Sequence, residues 1–467
     1  MKSRKAGVVE LRLEQLAQKM KGTILQGSPS LFFHSFKIDS RLTEPGDLFF
    51  ALEAKRDGHD FVAHAFKRGA AGAVISRQIE LPGKKIALIQ VEDTLKALQN
   101  LAQKVLAEHS LKVIGITGSI GKTTTKEFCS ALVSSAFRVL KSERNFNNLI
   151  GLPLSLLKIN NSHQVAVLEM AMSAPGEIRT LTRIAPPDVA VITNISPVHL
   201  QFFASLDHIG LAKREILEGL KPGGTAVLNG DDPRIKKAAQ VWKGRRLFFG
   251  LSPGCDIRAE SIHKRGFEGL FFNLNYGKET RRVDFPFFYD SFLYNFLAAA
   301  TTAYSLSIPV DDVLEKAKTL RPLSRRGLLI ALKGNIKLID DSYNSNPDAL
   351  RAALKSLSGL PARRRVAVLG DMLELGKKEQ QYHLQAGKQV VGYGWDVLVT
   401  VGPLSVHMAE GARKAGMAKN QIHSFQDSDE TAAAIWRLVQ EGDLILVKGS
   451  RGIQTEKIVD RLKRRGS

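Results

Sequence analysis

The sequence predicts an α/β protein in three domains: a small mixed α/β unit over residues 1–90, a central parallel-sheet unit over 91–324, and a Rossmann-like α/β unit over 325–467. Three observations carry this. A chain of 467 residues exceeds one ordinary domain and is long enough to bury two or three cores. Short apolar runs alternate with helical stretches, the rhythm of strands covered by helices. One such run passes straight into a helix through a loop of glycine and threonine, VIGITGSIGKTTT at 113–125.

The first block mixes short strands such as DLFFAL with a helix near FVAHAFKRGA and ends in the strand KIALIQV. The second alternates: strand VIGIT, helix, strand VAVLE, helix, strand VAVIT, helix, strand TAVL. A helix at LYNFLAAATTAYSL follows, with Pro322 near the join. The third restarts the alternation with IKLID, RVAVLG, VLVTVG and DLILVKG, and has no G-x-G-x-x-G loop. No internal repeat or low-complexity stretch is present.

Composition narrows the class. Hydrophobic residues at 44% and charged residues at 24% are ordinary for a globular protein. No apolar run approaches the ~20 residues of a membrane span, and the opening MKSRKAGVVELRLEQL lacks an apolar signal core. The two cysteines, Cys129 and Cys255, make no disulfide framework, which favours a reducing cytoplasm. A net charge of +21 raises the question of nucleic acid, but the basic residues are scattered. No run of them exceeds three residues, as at Arg363–Arg365, and aromatics are not interleaved there, so no nucleic-acid partner is expected.

The chemistry concentrates at strand ends, where ligands of such sheets collect. Residues Gly118, Ser119, Ile120, Gly121, Lys122, Thr123 and Thr124 form a short G-x-x-G-K-T phosphate loop, with Ile116 where the longer pattern has glycine. Glycines let the loop close around an anion, and amides at a helix start point at it. Lys122 adds charge at the outer phosphates, and the Thr123 hydroxyl suits magnesium. ATP or GTP is therefore the expected ligand. VAVLE ends in Glu169, a carboxylate placed to hold a metal beside that nucleotide, and VAVITN leads to His199. On the helix HIGLAKREILEGL, Lys213 falls on the apolar stripe of Ile209, Ala212, Ile216, Leu217 and Leu220, while Arg214, Glu215 and Glu218 are expected to face away. Burying an ammonium is costly. Either the lysine snorkels along the helix, or desolvation neutralises it and CO₂ converts it to an anionic metal ligand.

Taken together, TGSIGKTTT, NFNNLIGLPLSLL, EMAMSAPGEI, TNISPVHLQFF with AKREI, and DDSYNSNP resemble the ATP-dependent Mur ligases of peptidoglycan synthesis. SRLTEPGDLFFAL and DGHDF resemble that family's uridine-nucleotide-binding domain, so the likeness covers nearly the whole chain. It implies an amide ligase working through an acyl phosphate, with ATP and Mg²⁺ as cofactors. The roles implied are UDP-MurNAc-substrate binding for 1–90, ATP binding for 91–324, and binding of the amine substrate with nucleotide closure for 325–467. The pair DDSYNSNP and LGDMLELG, with VKGSRG, points to the branch whose partners are UDP-MurNAc-tripeptide and D-Ala-D-Ala. Other readings are a family member or folate polyglutamate-type ligase adding a single amino acid, and a nucleic-acid-stimulated P-loop NTPase. A cytoplasmic monomer is expected.

By resemblance, Lys122 and Thr123 are the phosphate lysine and magnesium hydroxyl, Glu169 and His199 are metal ligands, and Lys213 is an N6-carboxylysine. Asn295 meets adenine, and Arg326 and Asp341 reach the nucleotide from the third domain, with Arg325 the alternative to Arg326. Ser40 and Arg41 touch the uridine diphosphate, and Asn147 and Asn148 the sugar end of the substrate. Two departures stand out. Tyr289, Ser291 and Phe292 occupy the family's G-x-H-N stretch, and Ala54 stands near a usual glycine.

Overall fold

The structure is a computed structural model that describes residues 10–79, 86–143, 145–198, 201–203 and 205–466. Its first sheet runs, edge to edge, Thr23–Gln26, Ala87–Gln90, Gly72–Ile75, Leu48–Phe50, Phe36–Lys37. Only Thr23–Gln26 is antiparallel to its neighbour. The expected strands DLFFAL and KIALIQV are Leu48–Phe50 and Ala87–Gln90, and the expected helix is Val62–Lys67. The next helix, Thr94–Ala107, starts where the Asp93 carboxylate accepts from the amides of Leu95 and Lys96. Its buried face shares one apolar cluster with the first sheet and with the central sheet.

The central sheet has nine strands in the order Glu279–Phe285, Leu270–Tyr276, Ile257–Lys264, Arg245–Gly250, Thr225–Asn229, Val189–Ile192, Lys112–Thr117, Val165–Glu169, Val139–Lys141. Seven are parallel, and the four inner ones, Lys112–Thr117, Val165–Glu169, Val189–Ile192 and Thr225–Asn229, are buried on both faces, which explains their apolar runs. In Val165–Glu169, Val165 and Val167 join the core under the helices Lys122–Val133 and Asp290–Ser305, while Ala166 and Leu168 face the opposite core. The expected parallel strands are all present. The sequence reading left out the hairpin Leu270–Tyr276 with Glu279–Phe285, which extends the sheet antiparallel. Its one-sided alternation is the pattern of a half-covered strand, and Gly277 (φ 65) supplies the left-handed turn.

The third sheet runs Leu328–Leu332, Ile336–Asp341, Asp443–Lys448, Arg364–Gly370, Val397–Val401, Ile422–Phe425, with only the first pair antiparallel. All four strands read from the sequence lie in it. The central register sets the site. Glu169 pairs with Ile116, and Ile192 with Thr117, so the three strand ends that carry the chemistry lie side by side.

Candidate active site

The phosphate loop needs both of its glycines. Gly118 has φ +149, and a Cβ built there would sit 1.8 Å from Thr193 Oγ1. Gly121 has φ +81, and its Cβ would meet Asn295 Oδ1 at 2.4 Å. The segment after Val189–Ile192 then pins the loop. The Ile120 amide donates to Asn194 Oδ1 at 2.9 Å, and its carbonyl accepts from Thr193 Oγ1 at 2.7 Å and Asn194 Nδ2 at 2.9 Å. Ser119 Oγ donates to the Ser196 carbonyl at 3.0 Å. Lys122 curls back, its Nζ donating to the carbonyls of Gly118 at 2.8 Å and Ser119 at 3.2 Å. Burial holds its pKa below the ordinary lysine value, Glu169 works against that shift, and Arg326 adds to it.

Opposite the loop, Glu169 is only 2% exposed. Its Oε2 accepts from Thr123 Oγ1 at 2.8 Å, and its Oε1 accepts from Asn147 Nδ2 at 2.8 Å. Asn147 thus joins the acidic group, whereas its neighbour Asn148 caps the helix Gly151–Leu156, accepting from the amides of Ile150 at 3.2 Å and Gly151 at 2.8 Å. Lys213 is 2% exposed and has no hydrogen-bond or ion-pair partner among the described residues. Burial, and next the Lys122 charge, drive its pKa well below the ordinary value. One expectation on this helix needs correction: Glu215 does not face away. It is 4% exposed and accepts from the amides of Gly176 at 2.8 Å and Arg179 at 3.0 Å, so it satisfies the start of the helix Glu177–Ile184. His199 lies outside the described residues.

The third domain closes one wall. Arg326 Nη2 donates to Thr123 Oγ1 at 3.2 Å, and its guanidinium lies 3.9 Å from the centre of the Tyr343 ring. Arg325 turns the other way, to Glu456 at 2.9 Å. Asp341 pairs with Lys448 at 2.7 Å, and Lys448 also donates to the Asn344 carbonyl at 3.0 Å. Asn295 is buried and accepts from Thr125 Oγ1 at 3.2 Å. Where the family has G-x-H-N, aromatic packing takes over: Phe292 lies 5.6 Å from Tyr289 and 4.9 Å from Phe287. All these walls enclose a cavity of about 770 Å³ that the phosphate loop, Glu169, Asn147, Asn295, Arg326 and Asp341 border. Ser40 and Arg41 do not border it. Ser40 Oγ bonds His64 Nδ1 at 3.0 Å, and the exposed Arg41 pairs with Asp39 at 2.7 Å in the turn between the strands Phe36–Lys37 and Leu48–Phe50.

Sequence reasoning missed Asn194 and Lys448. Both had a signal, since each stands at or just beyond the end of a buried strand. The cavity can hold a polyanion at its lysine and amide end, with a carboxylate–hydroxyl pair of hard oxygens beside it.

Comparison with known proteins agrees along the whole length. Three family descriptions match: "Mur ligase family, catalytic domain" over 32–105, "Mur ligase middle domain" over 116–303, and "Mur ligase, glutamate ligase domain" over 325–451. The UDP-N-acetylmuramoyl-tripeptide–D-alanyl-D-alanine ligase of Bacillus subtilis (strain 168) is 35% identical over 455 residues, covering 97% of this chain and 98% of that protein. The protein of the same name from Escherichia coli (strain K12) is 31% identical over 466 residues, covering 98% and 100%. Among solved structures, MurF from Acinetobacter baumannii superimposes with a TM-score of 0.90 at 30% identity over 98% of this chain and 100% of that one. The MurF ligase of Thermotoga maritima in complex with ADP gives 0.82 at 30% identity, over 92% and 97%.

Proposed function

The chain belongs to the Mur ligase family, and from that premise we propose how the residues around the cavity divide the work of an ATP-dependent amide ligation. The reaction adds D-alanyl-D-alanine to UDP-MurNAc-tripeptide in peptidoglycan precursor synthesis, giving UDP-MurNAc-pentapeptide, ADP and phosphate. The single observation that carries the assignment is the junction at Thr123. There a phosphate-loop hydroxyl, the buried Glu169 carboxylate and an arginine from the third domain meet.

The physical problem is that a carboxylate must attack an anionic γ-phosphate. Lys122 and the loop amides oppose that repulsion and stabilise the transferring phosphoryl group, and Arg326 adds a second cation. The acyl phosphate so formed is attacked by the neutral amine of the dipeptide, and phosphate leaves. Because water competes for the same intermediate, closure of the third domain onto Thr123 serves to exclude it.

Magnesium fits the donors present. Thr123 and Glu169 offer a hydroxyl and a carboxylate 2.8 Å apart, and Mg²⁺ takes one or two such protein oxygens with the rest from phosphate and water. Among the described residues, which do not include His199, no group of three or more His, Cys, Asp or Glu side chains suited to a metal occurs. When bound, it neutralises phosphate charge. As a carbamate, formed when its neutral amine adds CO₂ and loses a proton, Lys213 would be a further residue to hold the ion. Its burial without a hydrogen-bond or ion-pair partner among the described residues and its lowered pKa support this. Residues 1–90 hold the uridine end through Ser40 and Arg41, and 325–467 the incoming amine. Asn147 serves the sugar end only by exchanging its bond to Glu169. A cytoplasmic location agrees with two free thiols, Cys129 and Cys255, and no described helix is long and apolar enough to cross a membrane.

The test is turnover with ATP, magnesium, UDP-MurNAc-tripeptide and D-Ala-D-Ala, following phosphate release and product mass. Phosphate release should require every component and be indifferent to added DNA or RNA. Preferential addition of lone D-glutamate or L-lysine in competition would transfer the protein to a sister ligase.

A further inference from the structure

The incoming dipeptide carries a free carboxylate, and nothing described so far receives it. Arg325, Arg326, Lys448 and Arg451 are among the cations near the loops at the carboxyl ends of the third sheet. Arg325 is paired with Glu456, Lys448 with Asp341, and Arg326 is committed to Thr123. Arg451, in the loop after Asp443–Lys448, has no acidic or hydrogen-bonding side-chain partner among the described residues. It is exposed, and its guanidinium lies 5.1 Å from the centre of the Tyr343 ring.

That ring is the same one Arg326 covers at 3.9 Å. The two guanidiniums are therefore no further apart than those two distances laid end to end. An extended dipeptide spans ~7 Å at roughly 3.3–3.6 Å per residue. Arg326 marks the phosphoryl end of the cavity, and Arg451, which is not among the residues lining that cavity, lies no further from it than about the reach of an extended dipeptide with its end groups.

The surroundings suit alanine. Leu373 is 40% exposed, and its Cδ1 lies against Gly452, where an added Cβ would approach it to 3.0 Å. Its amide donates to Ser450 Oγ at 2.9 Å, which in turn donates to the Ser345 carbonyl at 3.3 Å. Ser345 is 4% exposed, and its own hydroxyl has no partner among the described residues. A cation and an apolar side chain thus share one stretch of surface, and Ser450 links it to the buried Ser345.

We propose that Arg451 binds the free carboxylate of D-Ala-D-Ala and so measures the length of the acceptor, with Leu373 against its methyl group. This rests on the ligase reading above and adds a specificity determinant to it. The span gives the selectivity. A single amino acid held by Arg451 leaves its amine one residue, about 3.5 Å, short of the acyl phosphate.

The test compares D-Ala-D-Ala with its C-terminal amide as acceptors, using the full-length protein with ATP, magnesium and UDP-MurNAc-tripeptide. The original protein should prefer the free acid. Arg451→Ala should raise the KM for D-Ala-D-Ala roughly 10- to 100-fold, as expected for a lost charge-assisted hydrogen bond, and collapse the acid-over-amide preference toward one. Its KM for ATP should stay within about twofold, and Arg451→Lys should recover part of the preference. Retention of the full acid preference in Arg451→Ala overturns the proposal, as does a rise in the ATP KM matching that for the dipeptide. Failure of the original protein to use D-Ala-D-Ala at all would instead refute the ligase reading.

Discussion

Replacing Gly118 by alanine probes whether the phosphate loop is held by Thr193. The new Cβ falls 1.8 Å from Thr193 Oγ1, which is committed to the Ile120 carbonyl at 2.7 Å, so the hydroxyl must leave. A buried hydrogen bond of about 1 kcal/mol is lost. Forcing alanine to φ +149 costs a further 1–3 kcal/mol on the order expected for glycine-only backbone. The sum is about 2–4 kcal/mol, or roughly 5–10 °C in melting temperature for a domain of this size. Thermal melts with and without MgADP supply the readout, and the nucleotide-induced stabilisation should shrink with the loop displaced. Thr193→Ala alone loses only the hydrogen bond, about 1 kcal/mol. In Gly118→Ala that bond is already gone, so adding Thr193→Ala should cost nothing more. Two results would refute the reasoning: a Gly118→Ala melt within about 1 °C of the original, or a double variant that shows the full sum.

Three further outcomes follow from the site and the third domain. Lys213→Ala should be folded but nearly inactive, and formate or acetate should restore part of its rate by occupying the vacated anionic position; full activity without additive would dispose of the carbamate. Arg326→Ala should lower kcat about 10-fold or more with little change in melting temperature, whereas Arg325→Ala, which frees Glu456, should do the reverse. His383 is fully buried, Nδ1 donating to the Glu379 carbonyl at 2.7 Å and Nε2 accepting from the Met372 amide at 3.0 Å. Burial first lowers its pKa below the ordinary 6.5, so the unfolded chain binds the proton more readily. Its contribution is therefore complete above about pH 6.5 and is lost as pH falls from there through the lowered value. His383→Gln should flatten the fall in melting temperature as pH drops below about 6.5; an unchanged slope would contradict the assignment.

The local pattern of the chain was enough to determine the elements and several of the chemical groups. Apolar runs that a parallel sheet buries on both faces are legible residue by residue, which is why the expected strands of the central and third sheets are found. Gly-Lys-Thr between strand and helix marks a phosphate loop because glycine's backbone freedom and a helix start are themselves local facts. The placement of Lys213 on an apolar stripe was likewise legible, since helical period decides it.

Which partner each polar group meets was not. Asn147 and Asn148 are neighbours of one type, yet one reaches Glu169 and the other caps its own helix. Arg325 and Arg326 part company because Arg325 sits in a left-handed turn (φ 62) that sends the two side chains to opposite sides. Glu215 looked solvent-facing until the helix Glu177–Ile184 brought two free amides against it. Asp341 and Lys448 are 107 residues apart and meet only because their strands are neighbours in one sheet. Periodicity carries information over the few residues of a helical turn or strand pleat. The choice of partner is made by contacts across tens to hundreds of residues, and those exist only once the sheets have assembled.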